Sequence, residues 1–367
     1  MSLLKKKTIN KCLGIDIGTS SIKAIELSNL GNGPKLENYG EVPVQGIEFN
    51  DSPSGEARAN GISFLSSPTE EVVEAISSLK KEARFKTKNS VFSIPDFSTF
   101  FTSFELPPMR QGEIAEAVKY KANKYIPLSL DEMKIDWAII KGKPAQKKGF
   151  FSKGQSGTKL EILLATVPND VILKYQEIAK QADLNLLFLE AEIFSLIRSL
   201  VEKKKGSTIL VDIGGRSTTC SLIEDGILKS SHSFDVSSNQ FTYALSTSLD
   251  IDYNEAERLK KEIGIRKGTK EEQIIYPLID LILREIRKIS GSTPEEKNKI
   301  SKIVLSGGSS LMPGLREYFK EQVGIVTIIG DPFLDIDYPS SLKEILKEMS
   351  PSYAISVGSA LKGLDLA

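Results

Sequence analysis

Apolar and polar positions along the chain follow two rhythms. Cys12-Leu13-Gly14-Ile15-Asp16-Ile17 is a short apolar run closed by the turn residues Gly18-Thr19-Ser20-Ser21, and Ile22-Lys23-Ala24-Ile25-Glu26-Leu27 follows at once. Two such runs around a bend of glycine and hydroxyl residues predict a β-hairpin. A third strand is expected over residues 35–44, and residues 45–68, rich in Gly, Ser, Asn and Pro, read as irregular. The period then changes. Val72, Val73, Ile76 and Leu79 fall on one helical face behind Thr69-Glu70-Glu71, which predicts a helix over 69–82. Residues 90–95 and 100–106 read as strands, Pro107-Pro108 as a break, and 111–125 as a helix with Ile114, Ala117, Val118, Ala122 and Tyr125 on one side. Residues 136–141 and 161–167 read as two strands joined by a long loop. With Lys143, Lys147, Lys148 and Lys153, that loop is either a disordered hairpin tip or a basic contact patch. Pro168-Asn169-Asp170 opens a helix to about Ala182, and 184–200 reads as a strand running into a helix.

The chain then repeats its opening. Thr208-Ile209-Leu210-Val211-Asp212-Ile213 is a strand, Gly214-Gly215-Arg216-Ser217 a turn, and 218–223 the returning strand. Ile15-Asp16-Ile17-Gly18 superposes on Val211-Asp212-Ile213-Gly214 at an offset of 196 residues. That period is far too long for a solenoid, so two related lobes are expected. Helical segments follow at 239–249, 254–263 and 271–289. A strand at 302–305, the glycine turn Ser306-Gly307-Gly308-Ser309-Ser310, a helix over 313–323 and a closing helix over 353–364 complete the pattern.

Length and composition narrow the function classes. At 367 residues more than one core is expected. Forty-eight Lys and Arg balance 48 Asp and Glu, which argues against a protein that coats nucleic acid. Two cysteines, Cys12 and Cys220, make no disulfide framework and suggest a reducing compartment; one histidine, His232, leaves no His-rich metal site. The best candidate membrane span, 184–200, carries Glu190, Glu192 and Arg198, and the basic start Met1–Lys7 lacks the apolar core of a signal peptide. A cytosolic protein without direct membrane insertion is expected.

The repeated bends suit a phosphate. Glycine lets the backbone approach a bulky anion, and successive amides form an anion nest supplemented by the Thr19, Ser20, Ser21 and Ser217 hydroxyls. An Asp before each bend would repel that phosphate unless a hard cation intervened, so Asp16 and Asp212 are expected to face Mg²⁺, through water. Two such hairpins facing each other would clamp a Mg-nucleotide. The strand-then-glycine turn at 304–310 would let a base or ribose lie flat against the backbone.

These motifs together resemble the actin, heat-shock ATPase and sugar-kinase superfamily. Residues 16–23 stand as the first phosphate motif, 212–218 as the second and 305–310 as the adenosine motif. Within it the chain is similar to the PilM family, cytoplasmic actin-like proteins of type IV pilus assembly. The runs that carry this are Leu13 to Lys23, Leu106-Pro107-Pro108-Met109, Tyr125 to Glu132, Ser306 to Leu315 and Asp331-Pro332-Phe333. The resemblance implies an α/β, actin-like (ribonuclease H-like) duplicated two-lobe fold with an FtsA-type inserted subdomain. Its first lobe would be 1–95 with connecting helices in 184–205 and 350–367, its insertion 96–183, and its second lobe 206–349 with a helical part at about 233–300. It implies ATP or ADP with Mg²⁺, held by Asp16, Gly18, Thr19, Ser20, Ser21, Lys23, Asp212, Gly214, Gly215, Arg216, Ser217, Thr218, Gly307, Gly308, Ser309 and Ser310. Ala256-Glu257-Arg258-Leu259-Lys260 looks like the family's A-E-x-x-K helix, with Glu257 and Lys260 near ribose and adenine. Glu190 stands where relatives carry an Asp and is the nominee for activating water. Arg216 departs from the pattern; it could touch a phosphate or face solvent. Ala354, Gly358 and Ala360 would allow close helix packing.

By the same resemblance the partner is the short cytoplasmic N-terminal tail of a PilN-like inner-membrane protein. It would dock between the first lobe and the insertion, with 93–130 lining part of the groove. Other pilus-platform proteins and self-association are further expectations, and turnover is expected to be slow or absent. Three alternatives stand beside this reading. An FtsA-type division filament would carry an amphipathic membrane helix past Leu364, where this chain has only Asp365-Leu366-Ala367. A small-molecule kinase would need a substrate pocket with a base. A scaffold that has lost ATP would not need the two Asp bends.

Overall fold

The structure, a computed structural model, describes residues 9–43, 68–126, 129–144, 158–202, 206–291 and 300–364. Nearly all of the expected irregular stretch 45–68 lies outside them. So do most of the lysine-bearing loop 142–158, Pro127, Leu128 and the last three residues.

The chain opens with β1 (Lys11–Ile17), β2 (Ser21–Asn29) and β3 (Pro34–Pro43), then α1 (Thr69–Glu82) and β4 (Asn89–Ile94). β1 pairs antiparallel with β2, placing Asp16 opposite Lys23, and parallel with β4 on its other side. An excursion follows: β5 (Phe100–Leu106), α2 (Gln111–Ala122), β6 (Met133–Lys141), β7 (Leu160–Pro168) and α3 (Asn169–Gln181). β8 (Asn185–Ala191) then returns parallel to β4, completing the order β3-β2-β1-β4-β8. α4 (Glu192–Leu200) leads to a second set: β9 (Ser207–Ile213), β10 (Thr218–Glu224), β11 (Ile227–Phe234), α5 (Ser238–Leu249), α6 (Tyr253–Glu262), α7 (Lys270–Ile289), β12 (Ile300–Ser306), α8 (Leu315–Val323) and β13 (Thr327–Ile329). The described residues end with α9 (Lys343–Met349) and α10 (Ala354–Leu364). The second sheet runs β11-β10-β9-β12-β13, matching the first strand for strand and direction for direction. The repeat is therefore one of whole sheets, with Asp16 and Asp212 in the penultimate positions of equivalent strands.

The central strands β1 and β9 are covered on both faces and are apolar on both up to Asp16 and Asp212. In the first lobe Leu13, Ile15 and Ile17 meet Val72 and Ile76 of α1 and Val171, Tyr175 and Ile178 of α3. Cys12, Ile25 and Val91 instead face Val357, Ala360 and Leu364 of α10. In the second lobe Ile209, Val211 and Ile213 share one cluster with Phe241, Leu245, Ile275, Ile279, Ile282 and Phe319. The helices of 233–300 thus share the sheet's core. α4 and α10 cross very closely: a Cβ on Gly358 would lie 2.0 Å from the Ser195 carbonyl oxygen, and one on Gly14 would lie 1.8 Å from that of Ser356. The small residues expected at 354, 358 and 360 are where the two helices meet each other and the sheet.

The insertion is an antiparallel sheet, β5-β7-β6, with α2 packed on it through Phe104, Leu106, Ile114, Val118, Ile162 and Leu164. Two expected boundaries shift. α3 was expected inside the insertion (96–183), yet it packs on the first lobe, because it is the crossover helix that carries the chain back parallel to β4. The end of the expected second lobe also moves: Phe333, Ile336 and Leu346 pack with Leu36 and Tyr353 on the first lobe. Asp337 ties this segment to β3, accepting from the Leu36 N–H and donating to the Pro34 carbonyl, each at 2.9 Å. Cys12 and Cys220 are buried free thiols in different sheets. Among the described residues no helix is long and apolar enough to cross a membrane.

Candidate functional site

The two aspartate bends are built alike. The Gly18 N–H donates to the Ser21 carbonyl and the Gly214 N–H to the Ser217 carbonyl, both at 3.0 Å. Each closure turns a strand back on itself and leaves the following residues at the mouth of an interlobe cleft of about 110 Å³. The bends face each other closely. A Cβ on Gly215 would lie 2.4 Å from Ser20 Oγ and 2.9 Å from Thr19 Oγ1 of the opposite lobe. Asp16, Gly18, Thr19, Ser20, Ser21 and Lys23 line one side, and Asp212, Gly214, Gly215, Arg216 and Ser217 the other. Gly307 and Gly308 close the end beyond β12. Gly307 has φ +82°, and a Cβ there would lie 2.3 Å from the Ile213 carbonyl oxygen, so this approach requires glycine. Lys23 Nζ donates to Ser21 Oγ at 2.6 Å and pairs with Glu41 at 3.2 Å. The position opposite Asp212, equivalent to Lys23, is Thr219, which lines the cleft. Thr218, the residue expected from sequence, turns inward and donates to the Val236 carbonyl at 2.6 Å.

Four carboxylates gather here. Asp16 accepts from Ser93 Oγ at 3.2 Å; burial pushes its pKa up while Lys23 pulls it back. Asp212 is pushed up to about 6, chiefly by burial and against a hydrogen bond from Ser306, with the Asp16 charge adding to the rise. Glu192, the first residue of α4, lies well above the usual carboxylate range through burial and then through Asp16, Asp96 and Asp212. Asp96, 4% exposed, is pushed up to about 7 by burial, with the Ile193 N–H opposing. Its Oδ1 accepts from that N–H at 3.1 Å, its own N–H donates to Glu192 Oε2 at 3.1 Å, and its Oδ2 is buried without a hydrogen-bond partner.

Glu190, the sequence's nominee for activating water, is not brought to the cleft. It lies in β8 and turns toward Arg198, which donates to Oε1 and Oε2 at 2.5 and 2.9 Å and also to the Gly358 carbonyl. Its role is to fasten β8, α4 and α10 together. The glutamate that lines the cleft is Glu192, two residues on, where the strand has become a helix. Sequence reasoning also missed Phe97 and Pro351-Ser352, which line the cleft from the insertion's base and the turn before α10, and Asp96, which holds Glu192 from behind it.

Ser309, Ser310, Glu257 and Lys260 stand one layer behind the cleft. Ser310 Oγ donates to the Gly307 carbonyl at 2.8 Å, shaping the turn. Ser309 Oγ donates to Ser238 Oγ at 2.6 Å, and Lys260 Nζ donates to the same Ser238 oxygen at 2.7 Å and to Thr242 Oγ1 at 2.9 Å. Glu257 pairs with Lys260 at 2.5 Å. The A-E-x-x-K helix is thus wired to the glycine turn through Ser238.

Clustered carboxylates with raised pKa values, set between amide-lined bends, call for a cation and an anion together. Among the described residues no group of three or more His, Cys, Asp or Glu is arranged to hold a metal by itself. That donor set fits Mg²⁺, which is held by one or two carboxylates and completes its shell with water and phosphate oxygens.

The chain is 25% identical over 197 residues to the cell division protein FtsA of Enterococcus faecalis; the match spans 46% of this chain and under half, 44%, of that protein. It superposes on a PilM-PilN type IV pilus biogenesis complex with a TM-score of 0.78 and 23% identity, covering 97% of this chain and 99% of that one. MreB5 of Spiroplasma citri bound to AMPPNP gives a TM-score of 0.53 at 12% identity, covering 96% and 95%. EutJ of Carboxydothermus hydrogenoformans gives 0.55 at 15%, covering 98% and 93%. At these identities the solved structures share the actin-like fold. The family model for the type IV pilus assembly protein PilM matches residues 14–364, nearly the whole chain, and the chain belongs to that family.

Proposed function

We propose that this protein binds ATP or ADP with Mg²⁺ in the interlobe cleft and serves type IV pilus assembly by docking the cytoplasmic tail of a PilN-like inner-membrane protein. The observation that carries the nucleotide reading is the pair of equivalent bends, Gly18–Ser21 and Gly214–Ser217, facing each other with an aspartate behind each. Their amides and hydroxyls would hold phosphates, Asp16 and Asp212 would face the hydrated cation, and Gly307-Gly308 would take the nucleoside face. Bound Mg²⁺ supplies the positive charge that lets carboxylates and phosphates share one site. The cleft is small beside the roughly 300–1,000 Å³ of small-molecule sites, so the lobes part to admit a nucleotide and close on its phosphates. Closure can change a partner surface only through the difference in nucleotide affinity between open and closed states.

Glu192, which lines the cleft, replaces Glu190 as the nominee for accepting a proton from a water there. The partner reading is supported by family membership and by the likeness to the PilM-PilN complex. On this reading the protein would lie on the cytoplasmic side, peripheral to the inner membrane through that partner. The tail would lie between the first lobe and the insertion, against part of 93–130. The test is a pull-down in which the folded chain is offered a synthetic PilN-like N-terminal tail. Capture is expected, and failure with folding verified by circular dichroism overturns the partner assignment.

A further inference from the structure

Arg216 is the residue of the second bend that neither the phosphate chemistry nor the fold explains. Its guanidinium carbon lies 5.3 Å from the centroid of Phe97, across the cleft on the opposite lobe. Its Nη1 is buried and makes no hydrogen bond. A buried guanidinium nitrogen without an acceptor is costly, and stacking on an aromatic face compensates only part of that cost. The side chain is thus pre-positioned by Phe97 with the N–H groups of Nη1 unused, in a cleft whose other features are suited to phosphate.

Phe97 connects this arginine to the rest of the molecule. It lies in the single turn Asp96–Ser98, through which the chain passes from β4 into the inserted subdomain. Phe97 and Ser217 line both the interlobe cleft and a second cavity of about 380 Å³. That second cavity is walled by Phe100 and Phe101 of the insertion and by His232 and Phe234 of β11. The Arg216–Phe97 contact therefore stands at the partition between the two cavities. Glu192 and Gly307-Gly308 line the first cavity alone. A nucleotide whose nucleoside lies against Gly307-Gly308 would extend its phosphate chain toward this partition.

We infer that Arg216 distinguishes a nucleoside triphosphate from a diphosphate, its free Nη1 taking the terminal phosphate, and that Phe97 passes this state to the inserted subdomain. The inference rests on the nucleotide reading above. A guanidinium suits the task because its planar fork keeps one face on the aromatic ring while its edge binds phosphate oxygens; an ammonium cannot do both.

The experiment titrates Mg-ATP and Mg-ADP into wild type, Arg216→Lys and Phe97→Leu by calorimetry. It also follows hydrogen exchange of residues 100–122 in each nucleotide state. Arg216→Lys should weaken ATP about tenfold or more and leave ADP within about threefold, removing most of the preference for ATP. Phe97→Leu removes the ring that holds the guanidinium in place; it should weaken ATP more than ADP and, at saturating nucleotide, abolish the difference in exchange between the two states. Equal losses for ATP and ADP in Arg216→Lys, or unchanged affinities, would overturn the arginine's role. An unchanged exchange difference in Phe97→Leu would overturn the relay. Wild type that binds neither nucleotide would instead sink the nucleotide reading itself.

Discussion

Asp96 and Ile193 are joined across 97 positions of sequence: Asp96 Oδ1 accepts the Ile193 N–H at 3.1 Å, capping α4 from a different element. In return the Asp96 N–H holds Glu192 Oε2. The base of the insertion and the helix that carries the cleft glutamate are thus fastened together.

That connection should be visible in pH-dependent stability. Asp96 rises from an ordinary 3.8 to about 7 in the folded chain. Between those values the folded protein holds a proton that the unfolded chain has released. Its contribution is therefore fully present below about pH 4 and is lost as pH rises through 7. Asp96→Asn keeps the acceptor for Ile193 and removes the charge. It should stabilise the nucleotide-free protein at pH 8 by roughly 1–3 kcal/mol and flatten the pH profile between 4 and 7, as read by thermal melts. A variant less stable than wild type at pH 8 would refute this account of Asp96.

The two neighbouring glutamates should behave as opposites. Glu190→Gln breaks a partly buried pair with Arg198 and should cost roughly 2 kcal/mol while leaving Mg-ATP affinity within a few-fold. Glu192→Gln removes a crowded carboxylate from the cleft and should leave stability equal or higher. If the protein hydrolyses ATP, phosphate release should fall in Glu192→Gln and persist in Glu190→Gln. The reverse pattern would return the catalytic assignment to Glu190.

This pair also marks the limit of what the sequence makes legible. The repeated sheets could be read from Asp16 and Asp212, because the same apolar run, Asp, apolar residue and Gly precedes a tight bend in both places, and a strand that turns back at once needs turn residues there. The helix over 69–82 could be read because its apolar face has a 3.6-residue period and its charges match the helix dipole. Glu190 and Glu192 differ only by where β8 becomes α4. A two-residue step keeps the same face of a strand but turns by most of half a circle in a helix. Thr218 and Thr219 pose the same problem, and the pairing of Thr219 with Asp212 resolves it. The place of α3 was hidden because helical periodicity reports that a face is buried without reporting against what.

Close approach of the lobes should be sensitive to a single methyl. Gly215→Ala places a carbon against Ser20 and Thr19 across the cleft. It should leave the melting temperature within a few degrees and weaken Mg-ATP by about tenfold or more, since the bends must separate to make room. Calorimetry beside a thermal melt separates the two effects. Undiminished affinity would show that the bends do not close on the ligand.

Gly358→Ala tests the helix crossing instead. Its Cβ would lie 2.0 Å from the Ser195 carbonyl oxygen, a backbone atom that cannot rotate away. The variant should lose on the order of 3 kcal/mol or fail to accumulate as folded protein. A melting temperature equal to wild type would contradict the observed packing of α4 on α10.

The most direct test of the central claim is a calorimetric titration of Mg-ATP into wild type, Asp212→Ala and Gly18→Glu, with each variant first shown to be folded. Wild type should show one site per chain, and neither variant any measurable binding. Folded variants that bind with wild-type affinity, or a folded wild type that binds nothing, would contradict that claim.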